Sequence, residues 1–325
     1  MFGRRKQIGL ALGAGGARGI AHIGVLRMFE SESLPIDLLV GTSIGALVGG
    51  AFASGIKTGD IAKRVDEFLQ DPVFQESSLE HIRELEADEK LSVVQKIQGF
   101  FKNHFLLAQS LFRLGMLGEE NFQAMIDFFI PDIQVEDTLI PFRAVAVDLI
   151  SGQPVVFSRG SLREAIMASC AVPGAVPPQP FNGMLLSDGG ILYMVPTTVA
   201  RTEGANVVIA VSVNAMIASA QKLSSAVDVY VRATNVGIFH NEQWLLKEAD
   251  IVISPQVREL HWTDFGRATD LIKAGEAAAR EKLPQIRKAL PIFRRWAIRG
   301  ASRINKDRHT GRSKQLHSTD RRRHP

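Results

Sequence analysis

The residues best placed to do chemistry are Ser43, within Gly41-Thr42-Ser43-Ile44-Gly45, and Asp188, within Asp188-Gly189-Gly190. A serine flanked by glycines at this spacing is the pattern of a nucleophile elbow, where a strand turns sharply into a helix and the backbone must pass without clashing. The pentapeptide alone is common. Its context is more particular, because the apolar run Ile36 to Val40 precedes it and the small-residue helical stretch Ala46 to Ala53 follows it. Asp188 ends a short strand, Gly183 to Ser187, and two glycines keep its surroundings open. A carboxylate in that position can serve a serine as base or orienting partner. An isolated Asp-Gly is more often an ordinary turn.

A third stretch, Gly13-Ala14-Gly15-Gly16-Ala17-Arg18-Gly19, lies between an apolar strand, Gln7 to Leu12, and a helix over Ile20 to Phe29, with Ile20, Ile23, Leu26 and Phe29 on one face. Unpaired N–H groups at such a helix start suit an anion. A dinucleotide site would need Gly-x-Gly-x-x-Gly, but Ala14 replaces the first glycine and Asp37 begins the next apolar run where the ribose-binding carboxylate should end one. A P-loop would need Gly-Lys-Ser/Thr, which Arg18-Gly19-Ile20 does not supply. There remain a tight turn or an oxyanion hole built from Gly15, Gly16, Ala17, Arg18 and Gly19. A serine elbow one strand later favours the hole.

These candidates need elements to hold them. Strands are expected over Phe142 to Leu149, Pro154 to Phe157, Asn206 to Asn214 and Ala249 to Ile253, and helices over Gly59 to Leu69, Leu162 to Cys170 and Ser224 to Leu246. Wholly apolar strands alternating with helices predict a mostly parallel sheet covered on both faces. Pro173, Pro177, Pro178 and Pro180 predict loop between 173 and 180. Eight of the 18 phenylalanines fall in the helical region from 70 to about 135, where core packing and an acyl-chain cap are competing readings. Within it, Ile97 to Met116 is apolar on several faces and has the pattern of a lid.

The chain of 325 residues, 46% hydrophobic and 22% charged, is long enough for one large α/β domain. Its single cysteine, Cys170, excludes an intramolecular disulfide and suits a reducing compartment. The net charge of +4 is uneven. Residues 294–325 hold eleven Lys/Arg and two Asp/Glu, so they carry +9 and the rest carries −5. Arg4-Arg5-Lys6 and the following apolar residues imitate a signal peptide; cleavage would damage the glycine loop, so a cytoplasmic location is expected.

With glycine loop, serine elbow and Asp-Gly-Gly in this order, the sequence resembles the patatin-like phospholipases, particularly the bacterial single-domain ones, over residues 8–201. The resemblance implies a three-layer α/β fold with a mostly parallel central sheet and helices on both faces. Residues 202–282 would complete the same domain, and 283–325 would form a basic amphipathic segment and a disordered basic tail. It implies a Ser-Asp dyad, with Ser43 as nucleophile and Asp188 as base, the loop Gly15 to Gly19 as oxyanion hole, and no metal or other cofactor. Ala14 departs from the family's glycine pattern, and Asp-Gly-Gly stands where plant members have Asp-Gly-Ala; neither removes a reacting group.

The implied function is a serine acyl hydrolase of the phospholipase A or lysophospholipase type, acting on lipid esters in lipid breakdown. Two rivals use the same motifs: an acyltransferase with an acceptor other than water, and a non-catalytic partner-binding protein on the same fold. A serine-histidine triad through His240 or His261 is permitted by chain order, and His22 is a third candidate, but no motif marks any of them. The basic tail has a lipid reading, as peripheral contact with anionic membrane, and a merely solvated one. Nucleic acid ranks behind both, since no aromatic-interleaved platform accompanies the charge. Head group, acyl position and oligomeric state stay open.

Overall fold

The computed structural model describes residues 7–70, 119–214, 223, 225–257 and 265–291. The lid-like stretch Ile97 to Met116, His261 and the basic tail lie outside the described residues.

β1 (Ile8–Leu12) leads through a 3-10 turn over Gly16–Ile20 into α1 (Ala21–Ser31). β2 (Leu38–Thr42) leads into α2 (Ile44–Ala53), followed by α3 (Thr58–Gln70) and α4 (Glu119–Phe129). Next come β3 (Phe142–Asp148), β4 (Pro154–Phe157), α5 (Leu162–Ser169), β5 (Gln179–Phe181) and β6 (Met184–Asp188). The remainder is α6 (Thr197–Thr202), β7 (Val207–Val211), α7 (Ala226–Leu246), β8 (Ile251–Ile253) and α8 (Ala268–Ala289).

The sheet order is β5-β6-β3-β2-β1-β7-β8, with β4 also paired to β3. β3, β2, β1, β7 and β8 are mutually parallel, whereas β4 and β6 run antiparallel to β3 and β5 antiparallel to β6. This is the expected mostly parallel sheet. Alternate side chains enter two separate cores. Leu10, Leu12, Leu39, Phe142, Ala144 and Ile209 face the larger one, with α1 to α5 and α8. Ala11, Leu38, Val40, Val145 and Ala210 face the smaller one, with α6. Burial on both faces is why these strands read as unbroken apolar runs.

Two details differ from expectation. Gln179 and Pro180, placed in loop by their prolines, belong to β5; that strand lies at the sheet edge, where a missing N–H is tolerated. α8 runs without break across residues 282 and 283, and Ile286 and Leu290 are buried in the larger core. α8 also fixes α1, because a Cβ on Gly24 would run into Ile272 O and one on Gly275 into Ala21 O. The two helices approach at glycines on each side, and α1 carries the glycine loop at its head.

Register brings the two chemical strand ends together. Thr42, the last residue of β2, lies opposite Val145 of β3, and Asp188, the last residue of β6, lies opposite Ala146. Ser43 and Asp188 therefore emerge beside consecutive residues of one strand. The Asp148 carboxylate braces this arrangement. It accepts from Leu185 N at 3.0 Å, Ile150 N at 3.1 Å and the Ser151 hydroxyl at 2.6 Å, tying the β3–β4 turn to β6. The Ser151 hydroxyl and then Leu185 N–H lower its pKa to about 2.

Candidate active site

Ser43 is the one residue between β2 and α2, and its backbone is at φ 55° and ψ −127°. A non-glycine residue with positive φ is strained, on the order of 1–3 kcal/mol, and must be held by its surroundings. The holding contacts are specific. Ser43 N donates to Ser169 Oγ at 2.9 Å, and Ser169 Oγ donates to Val145 O at 2.7 Å. Thr42 Oγ1 donates to Tyr193 O at 2.9 Å.

The flanking glycines are required by crowding. A Cβ on Gly41 would sit 2.5 Å from Ala46 Cα, and one on Gly45 would strike Leu12 O. The elbow is thus pressed against the end of β1. A Cβ on Gly19 would enter the Ile44 side chain, so the glycine loop and the elbow are also in contact.

Ser169, wholly buried at the end of α5, was not marked by the sequence. Its signal is weak, a single hydroxyl on an otherwise apolar helix end. Ser169→Ala leaves the Ser43 N–H and the Val145 carbonyl without this partner in a buried site, each worth about 1–3 kcal/mol. The expected outcome is a fall in Tm, measured by thermal unfolding.

Asp188 is 5% exposed and Ser43 is 6% exposed. The Ser43 hydroxyl is close enough to the Asp188 carboxylate to lower its pKa, and Gly190 N donates to Asp188 Oδ1 at 2.7 Å. Burial pushes the Asp188 pKa up to about 6, against the opposing effect of the Ser43 and Gly190 donors. A carboxylate with that pKa is still mostly ionised at neutral pH and is a stronger proton acceptor than an ordinary aspartate at about 3.9. Gly189 and Gly190 permit this geometry: a Cβ on Gly189 would strike Val145 O, and one on Gly190 would lie 2.9 Å from Asp188 Oδ1. That second position would also be 3.4 Å from the Ala14 Cβ. The alanine that replaces the loop's first glycine thus fits because Gly190 carries no side chain.

In the loop, Gly13 N donates to Val211 O at 3.0 Å and Ala14 N to Met194 O at 2.8 Å. Gly15, Gly16 and Ala17 begin the 3-10 turn, where N–H groups have no acceptor within the turn, and no backbone acceptor is found for them among the described residues.

Gly16 and Ser43 line one apolar cavity of about 150 Å³, together with Leu47, Val48, Ile61, Phe68, Phe122 and Phe129. Of its described lining side chains, only Ser43 carries an oxygen or nitrogen atom. Phe122 and Phe129 are therefore both core and cavity wall.

The histidines are elsewhere. His22 is fully buried, its Nε2 lies 2.8 Å from Gly13 O, and burial lowers its pKa to about 4. It is a neutral imidazole that holds the end of β1, with Nε2–H donating. His240 is exposed on α7 and packs its ring against Phe239. Neither hydrogen-bonds Ser43 or Asp188 among the described residues. His261 lies outside them.

The sequence model of the family described as "Patatin-like phospholipase" matches residues 10–201. An uncharacterised NTE family protein of Mycobacterium tuberculosis is 36% identical over 208 residues, which is 64% of this chain and 49% of that protein. Human patatin-like phospholipase domain-containing protein 6 is 33% identical over 210 residues, 64% of this chain and 13% of that protein. The chain thus spans half or less of the length of these curated relatives. The crystal structure of VipD from Legionella pneumophila aligns with a TM-score of 0.44 at 14% identity, covering 86% of this chain and 67% of that one.

Proposed function

The chain belongs to the patatin-like phospholipase family, and from that premise we propose that it is a serine acyl hydrolase of lipid esters, with Ser43 as nucleophile and Asp188 as its base. The observation that carries this reading is the buried Ser43–Asp188 pair, with Ser43 at the wall of an apolar cavity. As Ser43 Oγ attacks the ester carbonyl, its proton passes to the Asp188 carboxylate, and the carbonyl π pair moves onto oxygen. The free N–H groups of Gly15, Gly16 and Ala17 donate to that oxyanion, with Arg18 and Gly19 completing the loop. Collapse breaks the bond to the alcohol oxygen, which leaves with the proton from Asp188, and the acyl group stays on Ser43. Water then gives a proton to Asp188 and attacks the acyl carbonyl. Fatty acid departs, and Ser43 recovers its proton.

The cavity accepts the acyl chain, since its walls offer area and no competing donors. The strained elbow holds Oγ in place before substrate arrives, so little ordering remains for the reaction.

A fluorophosphonate that mimics the tetrahedral intermediate tests this reading. Wild type is expected to label once per chain, with the adduct on Ser43 in the peptide map, and Ser43→Ala is expected not to label. Labelling at another residue, or equal labelling of Ser43→Ala, would remove Ser43 from the mechanism.

A further inference from the structure

Glu242 is 2% exposed, on a helix whose other described side chains are, Leu245 apart, partly or fully exposed. A carboxylate taken out of water on such a helix needs partners. The Ser212 hydroxyl donates to Glu242 Oε1 at 2.6 Å and Asn214 Nδ2 donates to Oε2 at 3.0 Å. Both partners lie just beyond β7. Burial raises the Glu242 pKa, and Ser212, Asn214 and the Arg18 charge oppose that rise.

The network continues to the glycine loop. Arg18 Nη2 donates to Asn214 Oδ1 at 3.4 Å, and Arg18 Nε donates to Gly15 O at 3.4 Å. Gly15 itself is packed against the same segment: a Cβ there would lie 2.5 Å from Val213 Cγ2 and 3.5 Å from Asn214 Oδ1.

Bond polarity gives this chain a direction. An ionised carboxylate only accepts hydrogen bonds, so Asn214 must turn its NH₂ to Glu242 and its carbonyl to Arg18. The guanidinium, which only donates, then reaches the Gly15 carbonyl. In a trans peptide the carbonyl and the following N–H point in opposite directions. Holding Gly15 O toward Arg18 therefore turns Gly16 N–H away from it, and Gly16 shares the cavity wall with Ser43. We propose that Glu242 is a positioning residue that, through Asn214 and Arg18, fixes the Gly15–Gly16 peptide in the orientation the oxyanion requires. The proposal rests on reading the loop as an oxyanion hole.

Glu242→Gln tests it with little change in shape. It removes the carboxylate charge that orders Asn214 and faces Arg18; the new amide can keep accepting from Asn214 Nδ2 only by turning its own NH₂ to Ser212 Oγ, and no charge then holds the guanidinium. With a p-nitrophenyl ester, kcat is expected to fall about tenfold and KM to stay within about twofold, as for loss of an interaction made in the transition state. Arg18→Gln should behave alike, and the double variant should lose no more than the poorer single one, because the two act in one chain. Phosphonate labelling should slow in parallel with kcat. Thermal unfolding monitors the fold; if Glu242→Gln does not fold, Asn214→Ser combined with Arg18→Gln carries the same comparison. Unchanged kcat in Glu242→Gln, or losses that multiply in the double variant, would overturn the proposal while leaving the hydrolase reading intact. A wild-type protein without ester turnover would remove that reading, and this inference with it.

Discussion

Replacing Ser43 with alanine is expected to lower kcat for ester hydrolysis by at least about 10³-fold, the scale of losing a covalent nucleophile. The variant keeps the cavity and the glycine loop, so substrate binding should change little. Stability separates two roles of the residue. Ser43 sits at φ 55°, and alanine inherits that strain while glycine does not. Both variants lose the hydroxyl and its effect on the Asp188 carboxylate. Ser43→Gly should therefore be more stable than Ser43→Ala by about 1 kcal/mol, the usual size of strain at such a position. Equal unfolding midpoints would mean that the elbow is relaxed.

Asp188→Asn is expected to reduce kcat by a similar factor, at least about 10³-fold, because an amide cannot take the serine proton. Its effect on stability should have the opposite sign. The Asp188 pKa is raised by burial to about 6, above its ordinary 3.8, so the folded protein disfavours the ionised form. That penalty is absent below about pH 4, grows as pH rises through the interval, and is complete above about pH 6. At pH 8 it amounts to at most about 3 kcal/mol, from roughly two pH units at 1.36 kcal/mol each. Asp188→Asn should thus raise Tm at pH 8 and leave it nearly unchanged at pH 4. Wild-type kcat/KM should fall as pH drops below about 6, as Asp188 becomes protonated. A variant that is inactive and more stable at high pH is the signature of a buried functional carboxylate.

Much of this site could be read from the sequence because its parts are local. Gly41 and Gly45 flank the serine they serve, Gly189 and Gly190 follow the aspartate, and each motif ends an apolar strand. The strand pattern likewise gave the parallel sheet, since burial on both faces removes polar residues from it. What joins the motifs was not legible. The pairing of Thr42 and Asp188 with consecutive residues of β3 depends on register between strands far apart in sequence. Ser169 and Glu242 reach the site only through tertiary contacts and belong to no motif. Pro180 misled for a related reason: proline forbids a central strand, and sequence alone does not say that β5 is an edge. The passage of α8 across residue 282 was hidden by a change in charge along the chain, whereas its buried stripe through Ile286 and Leu290 continues the helix.

The central claim is that a carboxylate, and no imidazole, activates Ser43. The direct measurement is fatty-acid release from lysophospholipid, phospholipid and p-nitrophenyl esters by wild type, Asp188→Asn, and a variant with His22, His240 and His261 replaced by Asn, Ala and Ala, each checked for folding. The expected result is loss of at least about 10³-fold in Asp188→Asn, with the histidine variant within a few-fold of wild type. Near-normal turnover in Asp188→Asn, or a comparable collapse in a folded histidine variant, would contradict it.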